Sequence, residues 1–298
     1  MKPTNLTRNP LALAFVALGL AGCGGDSVET NTQYKQIDTT APVDEWELVW
    51  SDDFEGNAID ENKWNFEVNC QGGGNNEQQC YTDSSENAYV SDGTLKIVAL
   101  PAGEDAEGNL PYTSARLNSK NKGDFKYGRI EVRAKLPEGQ GSWPAVWMMP
   151  TDSVYGGWPK SGEIDIMELV GHEPATSHGT IHFGLETHAQ NGGSYSLTSG
   201  IFADDFHVFA IRWTEDEIRW YVDGIYFHSV SRNSLGEDNW PFNDSPFYLI
   251  LNLAVGGHWP GSPDSTTIFP QTMEVDWVRV SEIPSDVGCT DALADNFD

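Results

Sequence analysis

Trp158-Pro-Lys-Ser-Gly-Glu-Ile-Asp-Ile-Met-Glu-Leu-Val-Gly171 carries three carboxylates, Glu163, Asp165 and Glu168, within six otherwise apolar residues. Ile164, Ile166 and Leu169 favour a strand, in which successive side chains alternate between two faces. Glu163 and Asp165 then share one face while Ile164 and Ile166 enter a core behind them. Glu168 stands at an odd offset from Glu163, so strict alternation turns it inward. One extra residue near Met167, a β-bulge, returns it to the face of the other two, and bulges are frequent beside active sites.

Strand-like runs recur between turn signals at Thr94–Ala99, Arg129–Ala134, Phe206–Trp213, Glu217–Val222, Phe247–Leu253 and Met273–Val280. Asp223-Gly224, between two of them, is a hairpin signal. No long segment repeats apolar residues at helical spacing, and 298 residues suffice for one large all-β domain with short appendages. The expected fold is an all-β jelly-roll sandwich of two antiparallel sheets, with a concave substrate cleft suited to a polymer.

Three acids on one face repel one another and weaken a fold unless they have a task. One bland reading is the solvated face of an edge strand, although such faces ordinarily mix in Lys or Thr. A second is a hard-cation site, against which the neighbouring tryptophans and the absence of a histidine within the cluster both count. Glycoside hydrolysis needs two close carboxylates, one ionised to attack the anomeric carbon and one protonated to release the leaving oxygen. A separation of about 5 Å gives retention through a covalent intermediate. Asp165, between the two in sequence, is placed to hydrogen-bond Glu163. Mutual repulsion pushes the pKa values apart, and the expectation is Glu163 ionised and Glu168 protonated near neutral pH.

The Glu163–Glu168 stretch resembles the signature of glycoside hydrolase family 16, in the bulged form shared by its laminarinases, agarases and carrageenases. The similarity runs from about Glu47 to Val280. It includes Leu48-Val-Trp-Ser-Asp-Asp-Phe54, Ser114-Ala-Arg-Leu-Asn118, Tyr127-Gly-Arg-Ile-Glu131, Gly139-Gln-Gly-Ser-Trp-Pro-Ala-Val-Trp147, His178-Gly-Thr-Ile-His182 and Leu249-Ile-Leu-Asn-Leu-Ala-Val-Gly-Gly-His-Trp-Pro260. The last three look like the β-1,3-glucanase branch. The resemblance implies Glu163 as nucleophile, Asp165 as its assistant, Glu168 as general acid/base, and no cofactor for catalysis. It implies that Asn69 and Arg116 bind glucose hydroxyls on the non-reducing side of the cut, with a surface salt bridge as the alternative for Arg116. It also implies a structural calcium ion held by Asp276 and backbone carbonyls, for which Glu55 and Gly93 are the positional candidates. A salt-bridged aspartate is the alternative there.

Trp143, Ala145 and Trp147 share one strand face at a spacing of two. Aromatic faces stack on the apolar faces of sugar rings, and together with the resemblance this assigns Trp143, Trp147 and Trp158 to sugar contact. Trp259, in a Gly/Pro loop, is expected in the cleft wall; Trp50, Trp64, Trp213 and Trp277 are expected in the core. His178 and His182, four residues apart, share a strand face, and His182 is expected near the acids in a hydrogen-bonding role. Neither has the ligand company of a zinc site.

With 17 basic against 45 acidic residues, the formal net charge is -28. Nucleic acid, anionic membrane surfaces and sulfated polysaccharides are therefore poor partners and a neutral glucan fits better, with solubility in an extracellular, saline medium as the bland alternative; the resemblance implies β-1,3-glucan. Lys2 and Arg8 precede an apolar run from Leu11 to Ala21, and Leu20-Ala-Gly-Cys23 resembles a bacterial lipobox. Residues 1–22 are then a lipoprotein signal peptide, Cys23 the lipidated mature N-terminus, and 23–45 a flexible linker. Residues 46–283 form the catalytic domain, and 284–298 a tail like the start of a short repeat. The apolar run is too short to span a bilayer, so the lipid is the expected membrane attachment, at the outer membrane or cell surface. In that oxidising setting Cys70 and Cys80 are expected to pair across a Gly-rich loop, leaving Cys289 over. The expectation is a monomeric, lipid-anchored, retaining endo-β-1,3-glucanase. Agarose or mixed-linkage glucan is the same-family alternative. A non-catalytic glucan-binding lipoprotein is the other, and it would be expected to have lost one of the two glutamates.

Overall fold

The computed structural model describes residues 46–102, 110–236 and 239–282. Cys23, Cys289, the signal, the linker and the tail lie outside the described residues. In chain order the strands are β1 (Glu47–Asp52), β2 (Asn65–Phe66), β3 (Gln79–Tyr81), β4 (Ala88–Ser91), β5 (Thr94–Pro101), β6 (Tyr112–Ser114), β7 (Arg116–Asn118), β8 (Asp124–Phe125) and β9 (Gly128–Lys135). They continue with β10 (Ser142–Pro150), β11 (Glu163–Glu168), β12 (Thr176–Phe183), β13 (Ala189–Ser196), β14 (His207–Trp213), β15 (Glu217–Val222), β16 (Ile225–Ser231), β17 (Phe247–Val255) and β18 (Gln271–Glu282). A single helical turn, α1 (Arg232–Leu235), follows β16.

One sheet runs β16-β15-β14-β9-β18-β5-β6-β3, with β1 beside β18 and β4 beside β5; the other runs β13-β12-β11-β10-β17-β7-β2, with β8 beside β17. The expected antiparallel pairing holds with one exception. At the edge of the first sheet β3 adds in parallel to β6 rather than to its chain neighbour β4.

Alternation creates the two layers. In β9, Ile130, Val132 and Ala134 are buried while Arg129, Glu131, Arg133 and Lys135 face outward. Met273, Val275, Val278 and Val280 of β18 extend this apolar face, and Val146, Met148, Ile164, Ile181, Leu249 and Leu251 meet it from the other sheet in one core. Each fully buried aliphatic side chain stabilises the sandwich by roughly 1.5–3 kcal/mol relative to exposure. The outer face of the first sheet carries ion pairs such as Arg129–Glu131 at 2.9 Å and Lys135–Glu274 at 2.9 Å. Exposed pairs of this kind contribute little stability, but they keep that face polar.

The hairpin between β15 and β16 turns at Asp223 and Gly224, both at positive φ (50° and 75°), as a two-residue turn matched to strand twist requires. Trp64 and Trp213 are buried, and Trp50 packs edge-on against Trp64 at 5.6 Å. Trp277 departs from expectation. The register of β18 against β9 shifts between Val275 and Trp277, which leaves this ring half-exposed, with the Arg279 guanidinium 4.3 Å above it.

Candidate active site

The site begins with an irregularity in β11. Against β10, Val146 lies opposite Met167 and Trp147 opposite Asp165, so Ile166 has no partner; against β12 the register shifts between Asp165 and Glu168. Ile166 and Met167 consequently both enter the core, and Glu168 returns to the outer face. The bulge expected near Met167 is present. At its start the Asp165 carbonyl accepts a hydrogen bond across the sandwich from the indole Nε1–H of buried Trp220, at 2.8 Å. Gly179 of β12 makes room for that indole: a Cβ there would lie 2.3 Å from Trp220 Cδ1.

On the outer face of the second sheet these acids border a cavity of about 320 Å³, walled by Trp143, Trp147 and Trp158. Each tryptophan has a polar task as well as an apolar face. Trp143 Nε1–H donates to Glu168 Oε1 at 3.1 Å, Trp158 Nε1–H to Glu163 Oε2 at 2.5 Å, and Trp147 Nε1–H to Asn252 Oδ1 at 2.6 Å. Trp158 is 52% exposed, leaving ring surface for a ligand. Trp259 packs edge-on against Trp143 at 5.6 Å and so braces the wall.

Arg116 lines the cavity, its guanidinium 4.9 Å from both the Tyr81 and Trp147 rings. It also pairs with Glu67 at 3.4 Å, so the salt bridge and the cleft position coexist. Asn69 is not among the residues lining this cavity. Its backbone bridges to Tyr81, and its Oδ1 accepts from Gln71 N–H at 3.2 Å, shaping the loop closed by the Cys70–Cys80 disulfide. That loop instead contributes Gly73, Gly74, Asn75 and Glu77 to the cavity. Glu77, buried, accepts from Gln79 Nε2–H at 2.7 Å and from Tyr81 Oη–H at 3.3 Å.

β12 lays His182 opposite Glu163 and His178 opposite Glu168. His182 Nε2 is 3.2 Å from Asp165 Oδ2 but off hydrogen-bond alignment, and that buried oxygen accepts no hydrogen bond among the described residues. On its other side His182 Nδ1 meets His188 Nε2 at 2.8 Å, and His188 also lies 4.8 Å from the Trp158 ring. Burial holds His178 and His188 below the usual imidazole range. His188, Glu77 and Asn252 have no spacing signal in the sequence that marks them.

Burial raises all three carboxyls. Glu163 is pushed up to about 8, by burial first and then by the Asp165 charge, with His182 and the Trp158 N–H opposing. Glu168 is pushed up to about 7 by burial and by Glu163, and Asp165 well above its usual range by burial and by Glu168. Both glutamates are thus raised together, where mutual repulsion alone would push them apart. The acids are not an isolated pair: Asp165 stands between them, fully buried, and raises Glu163 in turn.

Asp276 forms an ion pair with Arg133. The pairings Val275–Leu95 and Asp52–Val278 bring the start of β5 and the end of β1, and with them Gly93 and Glu55 just beyond, toward the middle of β18 around Asp276. An ion at that place would share Asp276 with the guanidinium. Among the described residues, the side-chain cluster with metal-ligand spacing is Glu163, Asp165 and His182.

A model of the glycosyl hydrolases family 16 matches residues 74–279. The glucan endo-1,3-beta-glucosidase A1 of Niallia circulans is 45% identical over 256 residues, covering 78% of this chain, which spans 37% of that protein's length. The beta-glucanase of Rhodothermus marinus is 42% identical over 293 residues, covering 94% of this chain and 96% of that protein. The laminarinase catalytic domain from Thermotoga maritima MSB8 superposes with a TM-score of 0.75 at 48% identity, over 80% of this chain and 99% of that one. The family match spans the bulged strand, its tryptophan walls and most of both sheets, and this chain belongs to glycosyl hydrolases family 16.

Proposed function

We propose that this chain is a retaining endo-β-1,3-glucanase acting on laminarin-type glucans. The observation that carries the reading is the bulge that turns Glu163, Asp165 and Glu168 onto one face of a tryptophan-walled cleft. In this reading Glu163 attacks the anomeric carbon as the anion; because burial raises it to about 8, that anion is a minor form of the substrate-free site at neutral pH, favoured by the Trp158 N–H and by His182. Glu168 protonates the leaving oxygen, then as a base draws a proton from the water that hydrolyses the glycosyl-enzyme. Trp143 and Trp158 orient the two glutamates through their indole N–H groups while their rings meet sugar faces. The acidic surface suits a neutral polymer better than a sulfated one.

NMR of freshly released laminari-oligosaccharides, read before mutarotation, is expected to show the β-anomer first, because two inversions at one carbon restore configuration. Initial α-anomer would mean an inverting mechanism, and no release from any β-glucan would favour a binding protein. Comparing laminarin with lichenan and agarose separates the β-1,3 reading from the same-family alternatives.

The proposal includes display as a monomer on a lipid attached to Cys23, at the outer membrane or cell surface, and a structural calcium ion at Asp276. If calcium binds only the folded chain, adding it raises the melting temperature by mass action, and Asp276→Ala abolishes the rise. An identical melting curve in chelator and in calcium would leave Asp276 as the ion-pair partner of Arg133 alone.

A further inference from the structure

We infer that Glu163, Asp165 and His182 form a binding site for a divalent transition metal, Zn²⁺ or Cu²⁺, which occupies the substrate-free cleft in competition with glucan. One ligand atom from each residue lies within 4.8 Å of the others. His182 Nε2 and Asp165 Oδ2 stand 3.2 Å apart. That is close to the ~3.3 Å edge made by tetrahedral ligands each about 2.0 Å from zinc.

A second observation points into the same space. The Asp165 side chain is 3% exposed, and its Oδ2 faces His182 without accepting a hydrogen bond. A buried carboxylate oxygen in that state is under-satisfied, and a cation between it and the imidazole supplies what it lacks. His182 is already oriented for ligation, since its remaining nitrogen, Nδ1, is engaged by His188 Nε2 at 2.8 Å. Ligating histidines are ordinarily held through their second nitrogen in this way. The open cavity leaves a fourth position for water.

One imidazole with two carboxylates suits Zn²⁺ or Cu²⁺, whereas Mg²⁺ and Ca²⁺ prefer oxygen donors alone. The sequence lacks a histidine within the acidic cluster; β12 supplies one by pairing His182 with Glu163. Glucan must reach the same Glu163 to react, so metal and sugar exclude each other.

The test is calorimetric titration of the full chain with Zn²⁺ in excess Mg²⁺, which masks weak binding by the acidic surface. One saturable site is expected, weakened at least about tenfold in His182→Gln and in Glu163→Gln, and weakened likewise by saturating laminari-oligosaccharide. Melting curves identify a variant that has failed to fold, and the oligosaccharide competition needs no variant. The proposal is overturned by no saturable binding above the Mg²⁺ background, by undiminished affinity in both folded variants, or by independent binding of metal and sugar. The readout is binding and not turnover. A chain that binds zinc here yet hydrolyses no β-glucan would overturn the proposed function while leaving the metal site standing.

Discussion

Glu163→Gln is expected to lower kcat on laminarin by at least about 10⁴-fold while making the protein more stable at alkaline pH. The kinetic loss follows from removing the attacking anion while keeping its size and an oxygen for the Trp158 N–H. The gain in stability follows from linkage. Burial first, then Asp165, raises the Glu163 carboxyl from 4.5 to about 8, so the folded state prefers its protonated form. The associated stability is fully present below about pH 4.5 and is lost as pH rises through about 8. The wild type therefore loses on the order of a few kcal/mol across that window, and the amide, which cannot ionise, does not. Turnover assays with melting curves at pH 5, 7 and 9 check both parts. Near-normal turnover would remove Glu163 as nucleophile, and parallel melting curves would remove the burial cost.

Gly179→Ala is expected to destabilise the sandwich by about 3 kcal/mol or more, and to reduce turnover although residue 179 touches no sugar. Its Cβ would lie 2.3 Å from Trp220 Cδ1 and 2.7 Å from Nε1, and Trp220 is fully buried. Overpacking of this kind costs roughly 1–3 kcal/mol. Displacing the indole also removes the donor to the Asp165 carbonyl, leaving a buried acceptor at the bulge at a cost of about 1–3 kcal/mol more. Because that carbonyl begins the irregularity that aims Glu168, activity and stability should fall together. Trp220→Phe separates the two causes by retaining most of the ring volume without the N–H. Denaturant unfolding of both variants decides the matter, and an alanine variant as stable as the wild type would show that the two sheets have slack here.

Much of this architecture is carried by local pattern. Period-two alternation in β9, β15 and β18 marks which side chains enter the core, and Asp223-Gly224 marks its hairpin, because both depend on residues adjacent in the chain. The odd offset between Glu163 and Glu168 is likewise legible: three acids can share a face only if one residue is absorbed by a bulge. Pattern is weaker where an irregularity falls without such a clue. Trp277 reads as core, yet the register shift beside Asp276 leaves it half-exposed.

The sequence by itself determined the strand content, the carboxylate trio and the Cys70–Cys80 loop, since each is expressed in neighbouring residues or in the chemistry of paired thiols. Tertiary structure alone decided what surrounds the trio. It brought His182 to Asp165 from β12 and His188 to His182 from the loop beyond it, set Glu77 and Asn252 into the cleft, and placed Asn69 in the loop base. It also set the carboxyl pKa values: repulsion between two glutamates predicts that they split, but each glutamate's own burial raises both. Desolvation depends on every atom packed around a carboxyl, and those atoms come from strands far apart in the chain.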